Sequence, residues 1–301
     1  MYNGLSQHQL TEQYSPSSCV DDINVYIDAY IKQSKKAKEQ AIEDKLVLTD
    51  LKYASSNDTR LDLYLPKNHQ HNKTQKRKLQ VYIHGGYWQE LSKEESCFAA
   101  LNFQAHDYYF AVLNYSLAPN TSLTGIVEQV RQAIAWLYSH AATYGYDKDE
   151  IYLSGSSAGA HLAIMMLNTD WTYYLNVTQE QTKLSPVKGI CAVSGIYDLS
   201  PIVQTYINEP LLLTSSEVLN NSPLLFNMAN ADETPCKLII CYGENETSEF
   251  KRQSQAFTDK LMALGYQVAC HEIIGRNHFD VILDLCHPSS WLFTQVLKQM
   301  E

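Results

Sequence analysis

The sequence predicts an α/β fold: a mostly parallel central sheet with helices on both faces. Three observations carry that prediction. From Leu79 onward, short apolar runs alternate with helical stretches, the order in which crossover helices join parallel strands. The first two strand-like runs are separated only by the turn signal "SSND", so they open the sheet as an antiparallel pair. One serine stands between a strand and a helix with glycine two positions away on each side, at the strand end where such sheets bind ligands. The 301 residues are 45% hydrophobic and can bury a sizeable core. A single domain over 1–301 is expected, since folds of this class and length commonly stay undivided.

The elements follow in order. Residues 1–45 form an N-terminal helical segment. Within it Val20, Ile23, Ile27, Tyr30 and Ile31 recur at helical spacing, with Ser17 or Ser18 as cap. "KLVLTDLKYA" and "TRLDLYLP" make the antiparallel pair, with Leu61, Leu63 and Leu65 on one face. Then come the strand "LQVYIHGG", the helix "EESCFAALNFQA", the strand "YYFAVLNYS" and the helix "GIVEQVRQAIAWLYSHA". "EIYLSGS", "AGAHLAIMMLNT" and "VKGICAVSG" continue the alternation. "CKLIICYG", "EFKRQSQAFTDKLMALG" and "YQVACHEII" complete it. Between the last two blocks, about 199–235 lacks a clear period and is expected to form a small cap over the site.

The net charge of −10 disfavours nucleic acid and anionic membrane as partners. The basic run "KTQKRK" (Lys73 to Lys78) reads as a solvated loop before a strand. Cys19, Cys97, Cys191, Cys236, Cys241, Cys270 and Cys286 are odd in number and form no C-x-x-C pair. They read as thiols of a reducing compartment rather than a disulfide framework. The polar N-terminus has no apolar signal core, and no run is long enough to span a membrane, so a soluble cytoplasmic protein is expected. A homodimer is compatible with the sequence.

The chemistry centres on "LSGSSAGAHLA". A serine attacks well only when sharply presented and paired with a base. The elbow pattern G-x-S-x-G fits one register alone, Ser157 between Gly155 and Gly159. Ser154 and Ser156 lack the flanking glycines. "HGGYW" (His84 to Trp88) also follows a strand. Its Gly86 and Tyr87 N–H groups, with that of Ala158, are the expected oxyanion donors, and Gly85 shapes the turn. The base is expected at His278, in "GRNHFD" after the last strand. His161 and His84 read as structural. His69 and His71 sit in a polar loop, and no H-E-x-x-H metal pattern exists. For the acid, Glu246 leads, with Glu244 and Asp198 also satisfying the order nucleophile, acid, histidine. Tyr87 and Trp88 are candidate aromatic walls for a substrate, the alternative being a core tryptophan that braces the loop.

"YSPS", "HGGYWQ", "SAGAHLA", "VSGIYDL", "NSPL", "SEFKRQS" and "HFD" occur in this order over nearly the whole chain. In them the sequence resembles the arylformamidase (kynurenine formamidase) family of the α/β-hydrolase superfamily. The resemblance puts the triad on Ser157, Glu246 and His278, although the family usually has aspartate at the position of Glu246. It implies hydrolysis of N-formyl-L-kynurenine to kynurenine and formate, with a small aromatic formamide or ester as partner and neither metal nor organic cofactor. A general carboxylesterase for short acyl esters would use the same machinery. A catalytically silent binding module of the same fold would have no need of Ser157 and His278.

Overall fold

The computed structural model describes residues 2, 4–68, 76–175, 185–232 and 235–301. His69, His71 and residues 73–75 of the basic run lie outside them. The chain opens with α1 (Gln7–Gln13), a 3-10 turn over Pro16–Cys19 and the long helix α2 (Asn24–Glu43). A capping box starts α1, with the Ser6 hydroxyl and the Gln9 amide each serving the other's backbone N–H. The helix α2 begins later than its periodicity suggests. Ser17 and Ser18 belong to the 3-10 turn, and Ile23 occupies the cap position with no side-chain bond. The buried line of α2 runs Tyr30, Ser34, Ala37, Ala41. Ile31 sits one step round the helix from that line and is 45% exposed.

The strands β1 (Val47–Lys52) and β2 (Arg60–Tyr64) pair antiparallel, with Val47 opposite Tyr64. Leu61 and Leu63 enter one core layer while Tyr64 enters the other, as the period of two requires. The chain continues through β3 (Arg77–Ile83), α3 (Ala100–Ala105), β4 (Tyr109–Leu113), α4 (Leu123–Tyr144), β5 (Tyr146–Ser156), α5 (Ala158–Met165) and α6 (Thr172–Leu175). Then come β6 (Val187–Val193), α7 (Asn208–Leu211), α8 (Ser215–Asn220), β7 (Lys237–Asn245), α9 (Ser248–Ala263), β8 (Val268–Asn277) and α10 (Trp291–Met300). The sheet order is β1-β2-β4-β3-β5-β6-β7-β8. From β4 to β8 every neighbouring pair is parallel, and β2 joins β4 antiparallel.

One core layer lies between the sheet and α1, α4, α5 and α9. The other lies under α2, α3 and α10. The helix α10 extends the fold past the last element read from the sequence. Its signal was present: the Ser290 hydroxyl accepts from the Phe293 N–H, and Leu292, Phe293, Val296 and Met300 form the buried face. The basic run does not remain a loop to its end. Arg77 and Lys78 belong to β3. Arg77 is buried with its Nε 2.8 Å from Asp107 Oδ2, because pairing removes the charge that would otherwise oppose burial. The segment after β6 carries α7 and α8 with 3-10 turns at Ile202–Gln204 and Pro223–Leu225. All seven cysteines are free thiols, with Cys97, Cys191 and Cys241 buried. No described helix is long and apolar enough to cross a membrane.

Candidate active site

Ser157 occupies the junction between β5 and α5 with φ 56° and ψ −119°, a region a non-glycine residue enters only when its surroundings hold it there. Its N–H donates to the Val193 carbonyl at 2.8 Å, which ties the turn to β6. The flanking glycines are required by close approach. A Cβ on Gly155 would stand 2.3 Å from the Gly159 oxygen, and one on Gly159 would stand 2.0 Å from the Ile83 oxygen. The two alternative serines differ. Ser154 is fully buried and accepts a hydrogen bond from Gln80 Nε2 at 3.0 Å. Ser156 ends β5 at the cavity edge, without the turn.

His278 follows β8, and its Nδ1 lies 2.9 Å from Glu246 Oε2. The other carboxylate oxygen, Oε1, accepts from the Ser194 hydroxyl and from the Gly243 N–H, each at 2.6 Å. The imidazole is wedged edge-on against Phe250 and Phe279, with ring centroids 4.5 and 5.4 Å away. Glu244 and Asp198 are engaged elsewhere. Glu244 accepts from the Gly275 N–H at 2.8 Å. Asp198 accepts from the Tyr2 hydroxyl and the Ser200 N–H, both at 2.8 Å.

The "HGGYW" segment is a tight turn. Gly86 has φ 91°, followed by two left-handed residues, Tyr87 and Trp88. A Cβ on Gly86 would meet the Glu90 oxygen at 2.3 Å. The Gly86 carbonyl accepts from the N–H groups of Gln89 and Glu90. Among the described residues, the N–H groups of Gly86, Tyr87 and Ala158 have no protein acceptor. Tyr87 lines the cavity, but Trp88 does not. The expectation of Trp88 as a substrate wall is corrected. Its indole is fully buried, edge-on to His161 with ring centroids 5.1 Å apart. The two rings meet edge-on with centroids 6.0 Å apart, Trp88 buried in the core and Tyr87 beside it at the cavity.

The remaining histidines near the turn are internal. His161 Nε2 lies 2.7 Å from the Asn221 carbonyl. His84 Nδ1 lies 2.9 Å from the Gly85 carbonyl, and its ring stacks on Tyr115 at 4.1 Å. Burial lowers both to a pKa of about 4, so both are neutral at pH 7.

Ser157 and His278 open onto a common cavity of about 270 Å³. This is slightly below the roughly 300–1,000 Å³ common for small-molecule sites. Aromatic walls come from Tyr30, Tyr82, Tyr87, Phe98, Tyr206 and Phe279. The described lining includes Glu90 but no lysine or arginine. The sequence reading missed the N-terminal contribution. Pro16, Ser17, Ile23, Ile27 and Tyr30 all face this cavity, and only the motif "YSPS" hinted at a role for that stretch.

A family model described as BD-FAE matches residues 61–261. The chain is 35% identical to a protein named kynurenine formamidase from Danio rerio, over 99% of this chain and 98% of that one. It is 33% identical to the kynurenine formamidase of Salmo salar, again over 99% and 98%. Among solved structures, a provisionally assigned thioesterase from Silicibacter sp. superposes with a TM-score of 0.76 at 22% identity, covering 95% of this chain and 98% of that one. That last likeness is one of fold.

Proposed function

The chain belongs to the kynurenine formamidase family of hydrolases, and from that premise we propose that it hydrolyses N-formyl-L-kynurenine to kynurenine and formate. The observation that carries the chemistry is the Glu246–His278 contact at 2.9 Å beside a strained Ser157 in one aromatic cavity. Ser157 Oγ attacks the formyl carbon while His278 Nε2 takes its proton. Glu246 holds the opposite ring nitrogen protonated, leaving Nε2 free to accept. The oxyanion receives the unpaired N–H groups of Gly86, Tyr87 and Ala158. His278 then protonates the departing aniline nitrogen. Water, deprotonated by the same imidazole, releases formate from Ser157. A flat aryl leaving group suits the tyrosine and phenylalanine walls.

The test is kcat/KM across formyl, acetyl and butyryl derivatives of one aryl leaving group, with Ser157→Ala as the inactive control. Tyr87 lines the cavity next to the Gly86 donor, and a ring there would narrow the acyl side. A carbon forced into a filled site costs roughly 1–3 kcal/mol. The expected profile therefore falls by about fivefold to a hundredfold per added carbon. A flat profile, or one that rises toward butyryl, would support a general carboxylesterase instead.

A further inference from the structure

The residues that join α1 to the 3-10 turn touch both halves of the site. The Gln13 carbonyl accepts from the Thr247 hydroxyl at 2.6 Å, immediately after Glu246. Gln13 Oε1 accepts from the Ser248 hydroxyl at 2.8 Å and from the Glu249 N–H at 3.1 Å. Thr247 is the N-cap residue of α9, yet its hydroxyl makes no capping bond. Gln13 therefore caps that helix from a distant part of the chain, filling a donor that helix starts leave open. The next residue faces the other way as well. The Tyr14 hydroxyl donates to Glu249 Oε2 at 2.9 Å and accepts from Gln253 Nε2 at 2.7 Å. The Tyr14 carbonyl accepts from the Tyr87 hydroxyl, on the oxyanion turn. The Tyr14 ring also packs on Phe250, which packs on His278. The Ser15 and Tyr206 hydroxyls lie 3.2 Å apart, Ser15 donating to the Thr11 carbonyl at 2.6 Å, and Pro16 and Ser17 then face the cavity.

We propose that residues 13–17 are a brace that fixes the Gly86–Tyr87 turn relative to the Glu246–His278 pair, with Gln13 and the Tyr87 hydroxyl as its positioning contacts. This rests on the catalytic reading above. The acid loop and the oxyanion turn leave different strands, β7 and β3, which are not neighbours in the sheet. The brace makes a direct hydrogen-bonded bridge between them. It acts through the machinery and touches no reacting atom itself. Its expected effect is on transition-state geometry, and so on kcat more than on KM.

The variants are Gln13→Ala, which deletes the two bonds of Gln13 Oε1, and Thr247→Val and Tyr87→Phe, which delete one bond each, with Thr247→Ser as the conservative replacement. The readouts are kcat and KM on a formyl aryl substrate, the rate of Ser157 phosphonylation by a fluorophosphonate, and Tm. The three deletions are expected to lower kcat and the phosphonylation rate in parallel, by about five- to tenfold each, with KM within about twofold. Thr247→Ser should restore both rates. The double variant Thr247→Val/Tyr87→Phe should lose less than the two single losses combined, because both bonds lie on one path from Thr247 through Gln13 and Tyr14 to Tyr87. Wild-type labelling at a residue other than Ser157 would remove the catalytic reading and the brace with it. Labelling at Ser157 with equal rates in all variants, or additive losses in the double variant, would remove the brace alone.

Discussion

At the scale of single residues, the proposal of Glu246 as the acid rests on what each carboxylate oxygen already holds. Glu246 Oε1 takes two donors, Ser194 and Gly243, while Oε2 faces His278. A glutamine has only one accepting oxygen. If that oxygen keeps Ser194 and Gly243, the amide NH2 points at His278 Nδ1 and forces the wrong tautomer, with the proton on Nε2. Glu246→Gln is therefore expected to lower kcat by roughly 10³–10⁴-fold, the scale seen when an orienting carboxylate becomes an amide. Circular dichroism should remain unchanged. Glu244→Gln and Asp198→Asn should stay within a fewfold of wild type, since their partners are Gly275, Tyr2 and Ser200. A loss in Asp198→Asn as large as that in Glu246→Gln would reverse the assignment. The sequence left three acids open because all three follow a strand. Register separates them: Asn245 pairs with Asn277 at the ends of β7 and β8, so the first residues past the two strands, Glu246 and His278, meet.

At the scale of elements, legibility follows sequence distance. The strand–elbow–helix unit is local, and its glycine pattern singled out Ser157. The structure supplies the reason in the contacts around Gly155 and Gly159. Gly159→Ala is expected to be a harsh change, because its Cβ would meet backbone oxygens of Ile83 and His84 at 2.0 and 2.6 Å, and backbone cannot rotate aside. Such overpacking costs roughly 1–3 kcal/mol or more. Tm should fall by several degrees or more, and Ser157 labelling should fall with it. An unchanged Tm in that variant would mean that α5 can move away from the end of β3 at the elbow. The elements that were misread owe their form to distant partners. Trp88 follows a turn whose second ring has to go to the core, against His161 on α5. The path of residues 13–17 is set by α9 and the oxyanion turn, more than 200 and about 70 positions away, and no local period records it.

At the scale of the whole molecule, the charge of −10 acts on whatever approaches the cavity, whose described lining adds Glu90 and no lysine or arginine. An anionic substrate is repelled over the last Debye length, about 10 Å at 0.1 M salt, whereas a neutral or zwitterionic one is not. N-formyl-L-kynurenine carries an ammonium beside its carboxylate at neutral pH, so its approach is close to indifferent to the field. The comparison that exposes this uses two aryl formamides of similar shape, one neutral and one bearing a ring carboxylate, each measured at about 10 and 200 mM salt. Screening removes repulsion, so kcat/KM of the carboxylate substrate should rise by roughly severalfold with salt while that of the neutral one stays level. The sign carries the information. If kcat/KM of the anionic substrate falls with salt instead, a cation must stand at the cavity mouth, and recognition of the carboxylate end would then be electrostatic. If it rises, repulsion dominates the approach, and the neutral donors of the lining, the Ser17 hydroxyl and the second N–H of the Gln89 amide, whose other N–H goes to the Ile207 carbonyl, become the groups to substitute next.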